Sequence, residues 1–141
     1  MSSDLGWMYN QSCGVPFRFV NGELQLLLIT TQKGKWIFPK GIVEPDLSPQ
    51  ESARQEAIEE AGVDGFVFEE KIGEYRYQKW GGCCTVQMFL LRVDKISNDW
   101  PEATFRERKW VAAETARQIA DKRIPRRLLK RLPQLIKQIS K

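Results

Sequence analysis

Three glutamates, Glu56, Glu59 and Glu60, have the type and spacing to do chemistry. On a helix that advances about 100° per residue, Glu60 falls about 40° to one side of Glu56 and Glu59 about 60° to the other. Ala53, Ala57, Ile58 and Ala61 take the arc that can lie on a sheet. Such an acidic face is costly by itself. Glu56 repels Glu59 and Glu60 by about 0.2–0.5 kcal/mol each. Glu59 and Glu60 also sit in a last turn whose dipole disfavours negative charge by about 0.3–1 kcal/mol each. No Lys or Arg follows at i+3 or i+4 to offset them. A divalent cation would convert repulsion into ligation, and Mg²⁺ favours carboxylate oxygens and retained waters. Taken alone, E-x-x-E-E leaves a plain solvated acidic face equally open.

The element that carries these residues has well-marked ends. Ser48-Pro49-Gln50-Glu51 combines an N-cap, a proline suited to the first helical position and an S-x-x-E capping box. Gly62 is placed to end the helix in a left-handed conformation, so a helix is expected over 48–61. Before it, Asn21-Gly22 marks a hairpin turn between strands at about 13–20 and 24–31. Lys33-Gly34-Lys35 is a turn leading to the short run Trp36-Ile37-Phe38, and 42–47 is a loop. Two strands, near 66–77 and 83–92, flank Lys79-Trp80-Gly81-Gly82, which reads as a hairpin turn or a flexible lip. A short strand near 107–111, a helix over 113–121 and a helix from Pro125 to about 139, interrupted or kinked at Pro133, complete the chain. Leu128, Leu129, Leu132, Leu135, Ile136 and Ile139 would face the sheet. The expected fold is a single α/β (α+β) domain over 1–141, with helices packed on a sheet.

Composition excludes much else. With no histidine, neither a Ser-His nor a Cys-His nucleophile pair can exist, and no His-containing zinc site. Acid–base work must fall to carboxylates, Lys, Tyr or metal-activated water. Cys13, Cys83 and Cys84 are an odd number and suit free thiols in a reducing compartment, so the cytoplasm is the expected location. No apolar run is long enough to cross a membrane, and Met1-Ser2-Ser3-Asp4 lacks the features of a secretory leader. Residues 117–141 hold nine Lys or Arg and one acid, Asp121, which leaves the preceding residues mildly acidic. That basic tail can steer anions toward the molecule, or form an ordinary solvated helix surface.

Gly41-Ile-Val-Glu-Pro-Asp-Leu-Ser-Pro-Gln-Glu-Ser-Ala-Arg-Gln-Glu-Ala-Ile-Glu-Glu-Ala-Gly-Val63 resembles the Nudix box, G-x5-E-x7-R-E-U-x-E-E-x-G-U, where U is aliphatic. Gly41, Glu56, Glu59, Glu60, Gly62 and Val63 fall in register. Leu47 stands where the pattern has its first Glu and Gln55 where it has Arg. Arg54, beside it, points about 100° away around the helix. Glu44 is a candidate to cover part of the first Glu's role. Trp36-Ile-Phe-Pro-Lys-Gly41, the run Asp99-Trp-Pro-Glu102, and Glu107-Arg-Lys-Trp-Val111 are similar to hydrolases of diadenosine polyphosphates and diphosphoinositol polyphosphates.

The resemblance implies an α/β/α sandwich around a mixed sheet and hydrolysis of a phosphoanhydride bond with Mg²⁺ or Mn²⁺. The expected metal ligands are Glu56 and Glu60, with Glu59 a ligand or assisting base, and a backbone carbonyl at Lys40 or Gly41. Glu102 or Glu107 is expected to add a carboxylate from outside the box. Lys40 is the first candidate for a substrate phosphate, and Arg18 and Lys33 are others. Trp36 or Tyr77 is a candidate to stack on a base, core packing being the other reading. The expected partner is a polyphosphorylated small molecule and not a membrane; the oligomeric state is left open. Two alternatives remain: removal of pyrophosphate from RNA 5′ ends, suggested by the basic tail, and a catalytically silent binding module, suggested by Leu47 and Gln55.

Overall fold

Asn21 and Gly22 both take positive φ, 53° and 80°, the mark of a type I′ turn whose twist matches that of paired strands. The computed structural model describes residues 7–140; the expectation drawn from Met1-Ser2-Ser3-Asp4 lies outside them. The turn joins β1 (Trp7–Val20) to β2 (Glu23–Thr30). Short strands β3 (Trp36–Ile37) and β4 (Lys40–Ile42) follow, then α1 (Pro49–Glu56), which continues into a π-helical turn, Ala57–Ala61. β5 (Val63–Lys79) and β6 (Gly82–Ile96) make a long hairpin, and β7 (Arg108–Ala112), α2 (Ala113–Ile119) and α3 (Arg126–Ile139) complete the order.

The strands form one mixed sheet in the order β3-β2-β1-β6-β5, with β4 added to β1 and β7 to β2. β1 is its axis. One edge runs parallel to β6 from Trp7 to Phe17, and the other is divided between β4, at Gln11 to Cys13, and β2, at Phe17 to Val20. Gln11 to Phe17 are all buried, as are Leu26 to Thr30. The alternation of a half-exposed strand is missing because both faces are covered. From α1 and the π turn, Ala53, Ala57 and Ala61 are fully buried, and α3 buries Leu128, Leu129, Leu132 and Ile136. The mixed α/β architecture is therefore the one expected.

Several boundaries differ from the sequence reading. β5 and β6 are longer than expected, and β5 keeps its register with β6 only through irregularities at Asp64/Gly65, Val67/Lys71 and Lys71/Gly73. Gly65 is needed at the first of these, since a Cβ there would lie 1.9 Å from the Arg92 carbonyl oxygen. The Lys79–Gly82 link is a tight hairpin turn, with Trp80 and Gly81 at φ 56° and 70°. α3 is not interrupted at Pro133. Its apolar stripe, packed on the core, outweighs the one missing backbone hydrogen bond. The helix over 48–61 is α-helical only to Glu56, beyond which i→i+5 bonding takes over.

Candidate active site

The N-terminal end of α1 is closed by the capping box. The Glu51 N–H donates to Ser48 Oγ at 3.0 Å and the Ser48 N–H donates to Glu51 Oε1 at 2.8 Å. At the other end Gly62 adopts φ 68°, as its position predicts. In the π turn each residue advances by less than 100°, so Glu60 swings back toward alignment with Glu56. The carbonyls this turn leaves free are met from far along the chain. Trp100 Nε1 donates to the Glu60 carbonyl at 3.0 Å, and Arg108 Nη1 donates to that of Ala61 at 2.9 Å. The Arg108 guanidinium lies 3.9 Å from the Trp100 ring. Positive charge thus reaches the C-terminal end of the helix, where the local sequence supplies none.

Glu60 is 7% exposed. Its Oε1 accepts the Lys40 backbone N–H at 3.0 Å, and its Oε2 lies 3.5 Å from Arg106 Nη2. Burial pushes its carboxyl up to about 8, helped by Glu56 and opposed by Arg106. Glu56 is raised too, by burial first and then by Glu59, Glu102 and Glu44, with the neighbouring Glu60 carboxyl opposing the rise. Its carboxylate occupies the space a side chain at Gly41 would need: a Cβ there would stand 2.3–2.6 Å from the Glu56 carboxyl atoms. A buried and a half-buried carboxylate that resist ionisation, with a backbone cradle beside them, fit a hard divalent cation.

Arg106, which sequence reasoning did not single out, organises this corner. Its Nε donates to Glu102 Oε1 at 2.6 Å and its Nη1 to the Thr30 carbonyl at 2.7 Å. Glu102 is drawn in further by its own N–H, which donates to the Glu59 carbonyl at 3.1 Å. Glu107 instead uses its backbone to pair with Thr30, and its side chain is exposed. Glu59 also stands apart, its Oε1 accepting from Gln55 Nε2 at 3.3 Å. Among the described residues, no group of three or more His, Cys, Asp or Glu side chains is arranged to hold a metal. Glu56 and Glu60 are thus the carboxylates the fold brings together.

They open onto a cleft of about 1000 Å³. Glu44, Glu56 and Glu60 line it with Gly41, and Lys33, Lys35, Lys40, Lys79 and Arg123 line it with opposite charge. Lys40 turns its Nζ to Tyr77 Oη at 2.8 Å, and burial holds its ammonium below the usual range. Arg18 is not part of the cleft. Its Nε donates to Gln25 at 2.7 Å and its guanidinium lies 4.1 Å from the Trp110 ring. The reason is distance along β1: Gln11 lines the cleft, and Arg18 is seven residues further on, about 23 Å in an extended strand. Neither Trp36 nor Tyr77 lines the cleft; Tyr77 is 8% exposed and belongs to the core. Trp80 and Phe105, 51% and 58% exposed, are the cleft's aromatic rings.

At the two departures from the box, Gln55 reaches only Glu59, while Arg54 forms a two-point pair with Asp64 at 2.7 and 2.9 Å. Leu47 is half-buried, and Glu44 lines the cleft. Cys13 and Cys84 are buried, and burial pushes the Cys13 thiol up to about 12. All three cysteines are free.

A mixed sheet carrying a loop–helix–loop with inward carboxylates defines the class. The NUDIX domain family model matches residues 10–132, and the chain belongs to the Nudix family. It is 42% identical over 123 residues to Nudix hydrolase 4 of Arabidopsis thaliana, covering 79% of this chain and 59% of that protein. It is 31% identical over 104 residues to diphosphoinositol polyphosphate phosphohydrolase 2 of Rattus norvegicus, covering 67% and 53%. The chain thus spans less than two thirds of the length of these relatives. In fold it resembles the Ap4A hydrolase of C. elegans, with a TM-score of 0.75, 23% identity, and 92% and 99% of the two chains covered.

Proposed function

We propose that the protein is a divalent-metal-dependent hydrolase that cuts a phosphoanhydride bond in a dinucleoside polyphosphate or a diphosphoinositol polyphosphate. The observation that carries this reading is the pairing of buried Glu60 with half-buried Glu56 facing a cation-lined cleft. Membership of the family and the relative named for diphosphoinositol polyphosphates support it.

Glu56 and Glu60 would hold the cation, with backbone at Gly41 beside them. When bound, Mg²⁺ or Mn²⁺ neutralises substrate charge, stabilises the leaving phosphate and makes water a better nucleophile. Arg106 fixes the Glu60 carboxylate from one side and the Lys40 N–H from the other. Lys40 Nζ and Lys33 bind substrate phosphate, while Arg18 lies too far away to share that role. In the reaction a water oxygen joins phosphorus and the bond to the bridging oxygen breaks. The leaving phosphate takes the electron pair, and a carboxylate accepts the water's proton. Glu59, apart from the Glu56–Glu60 pair and held by Gln55, is the candidate for that last role.

Of the basic tail that suggested RNA, Arg123 lines the cleft and the residues of α3 do not. We further take the chain to be one catalytic domain acting in a reducing compartment such as the cytoplasm, a reading the free thiols support. No helix among the described residues is long and apolar enough to cross a membrane.

The test is product release from diadenosine polyphosphates, diphosphoinositol polyphosphate, ADP-ribose and triphosphorylated RNA, with Mg²⁺ and with EDTA. Turnover that needs Mg²⁺ and is lost in Glu59→Gln and Glu60→Gln is expected. Tight binding of one compound without turnover of any would leave a binding module instead.

A further inference from the structure

Around Tyr77 the cleft gathers more positive charge than its own carboxylates balance. Lys40 Nζ and the Arg123 guanidinium each lie 4.9 Å from the Tyr77 ring centre. Lys40 Nζ also donates to Tyr77 Oη at 2.8 Å, and Tyr77 Oη donates in turn to the buried Gln11 Oε1 at 2.8 Å. Lys79 joins them from the end of β5, its ammonium 4.6 Å from the Trp80 ring. Its proton is held less tightly than usual, through partial burial first and then through repulsion by Lys40 and Arg123. Asp121 pairs with Arg123 at 3.2 Å. Among the described residues neither Lys40 nor Lys79 is in ion-pair contact with a carboxylate.

Three cations facing one carboxylate leave about two positive charges unmatched. Clustering like charges is unfavourable without a ligand, and a phosphate monoester carrying about two negative charges would neutralise the excess. Tyr77, tied to Gln11 in the core, fixes the site. The turn at Trp80 and Gly81, where a bulky aromatic residue is held at positive φ, sets where Lys79 enters.

We propose that Lys40, Lys79 and Arg123 form a distal phosphate subsite, apart from the Glu56–Glu60 pair, that takes the phosphoryl groups lying beyond the bond to be cut. This rests on the hydrolase reading and deepens it by assigning the residues that hold the further phosphoryl groups. The substrate is an organic polyphosphate with at least three phosphoryl groups, since a sugar nucleoside diphosphate would offer the subsite only a neutral sugar. Lys40, whose backbone N–H holds Glu60 while its ammonium faces Tyr77, links the two parts of the cleft.

The experiment is titration of the full chain with inorganic tripolyphosphate by calorimetry, in EDTA so that no metal contributes. Wild type, Lys79→Gln, Arg123→Gln, Arg123→Lys and Lys137→Ala are compared, with thermal melts to show that each is folded. Binding about tenfold weaker in Lys79→Gln and in Arg123→Gln is expected from the loss of one charge-assisted contact. Arg123→Lys should recover part of it, and Lys137→Ala, an equal charge change on α3, should leave it unchanged. Unaltered binding in both glutamine variants would overturn the subsite, as would equal weakening in Lys137→Ala, which would reduce the effect to net charge. If the expected binding pattern holds but no polyphosphate is cleaved with Mg²⁺, the subsite stands and the hydrolase reading falls. Mg²⁺-dependent cleavage with tripolyphosphate binding unchanged in both glutamine variants does the reverse.

Discussion

Gly41→Ala separates positioning of the site from stability of the fold. The new methyl would start 2.3–2.6 Å from the Glu56 carboxyl atoms, whereas ordinary contact begins at 3.4 Å. The carboxylate must therefore retreat by about 1 Å, and a misplacement of that size costs on the order of 10²-fold in rate. Stability should hardly change. Gly41 is not in the left-handed region, the atoms it meets are the end of a flexible side chain, and Gly→Ala in a compatible backbone restricts the unfolded chain, worth about 0.4–1 kcal/mol in its favour. The assay is Mg²⁺-dependent release of product from a diadenosine polyphosphate at saturating substrate, beside a thermal melt in EDTA. Turnover about a hundredfold lower with an unchanged or slightly raised Tm is expected. Full turnover would refute the placement of Glu56, and a rate loss matched by a large fall in Tm would show that Gly41 serves the fold instead.

Arg106→Ala should cost about 3 kcal/mol, read from the urea midpoint at constant m-value, because it strands the Glu60 and Glu102 carboxylates and the Thr30 carbonyl. Gly65→Ala should cost about 2–3 kcal/mol, since the obstructing atom is backbone and cannot rotate away; its turnover per folded molecule should be normal. The raised Glu60 carboxyl makes metal-free stability pH-dependent. Its contribution is complete below the ordinary value of 4.5 and is lost as pH rises through about 8. In EDTA the Tm should fall from pH 6 to pH 9, and Mg²⁺ should reduce the fall by binding the ionised form; a flat profile in EDTA would contradict the burial of Glu60.

What the sequence revealed was mostly local. The Ser48–Glu51 box, the Asn21-Gly22 turn and the Gly62 cap each depend on residues within about one turn of chain, and each is present as read. The acidic helix face was legible, but its relief was not: no cation follows it within the next turn in sequence, yet Arg106 and Arg108 arrive from over forty residues away. The π turn escaped for a related reason, its free carbonyls being met by Trp100 and Arg108, so spacing within 48–61 says nothing about it. Glu59 was grouped with Glu56 and Glu60 on an ideal 100° step, and the wider turn sets it apart. Arg18 was a charge on a strand with no measure of its distance from the box, whereas Lys79 and Arg123 were passed over because only the fold brings them to Lys40. The one early signal for Lys79 was its place in a turn, and for Arg123 its place in the basic tail.

The division of β1 between partners also has a kinetic consequence. Its C-terminal end pairs with β2 across a two-residue turn, but its parallel partner β6 begins about sixty residues beyond that end. The first pairing closes within microseconds, whereas the second must first overcome the entropy of a long loop. Gln11 and the β4 backbone that cradles Glu56 belong to the half that waits. Refolding chains should therefore acquire the hairpin early and competence to bind metal late, and pulsed hydrogen exchange should protect the paired Arg18 and Gln25 before Val86 to Leu90.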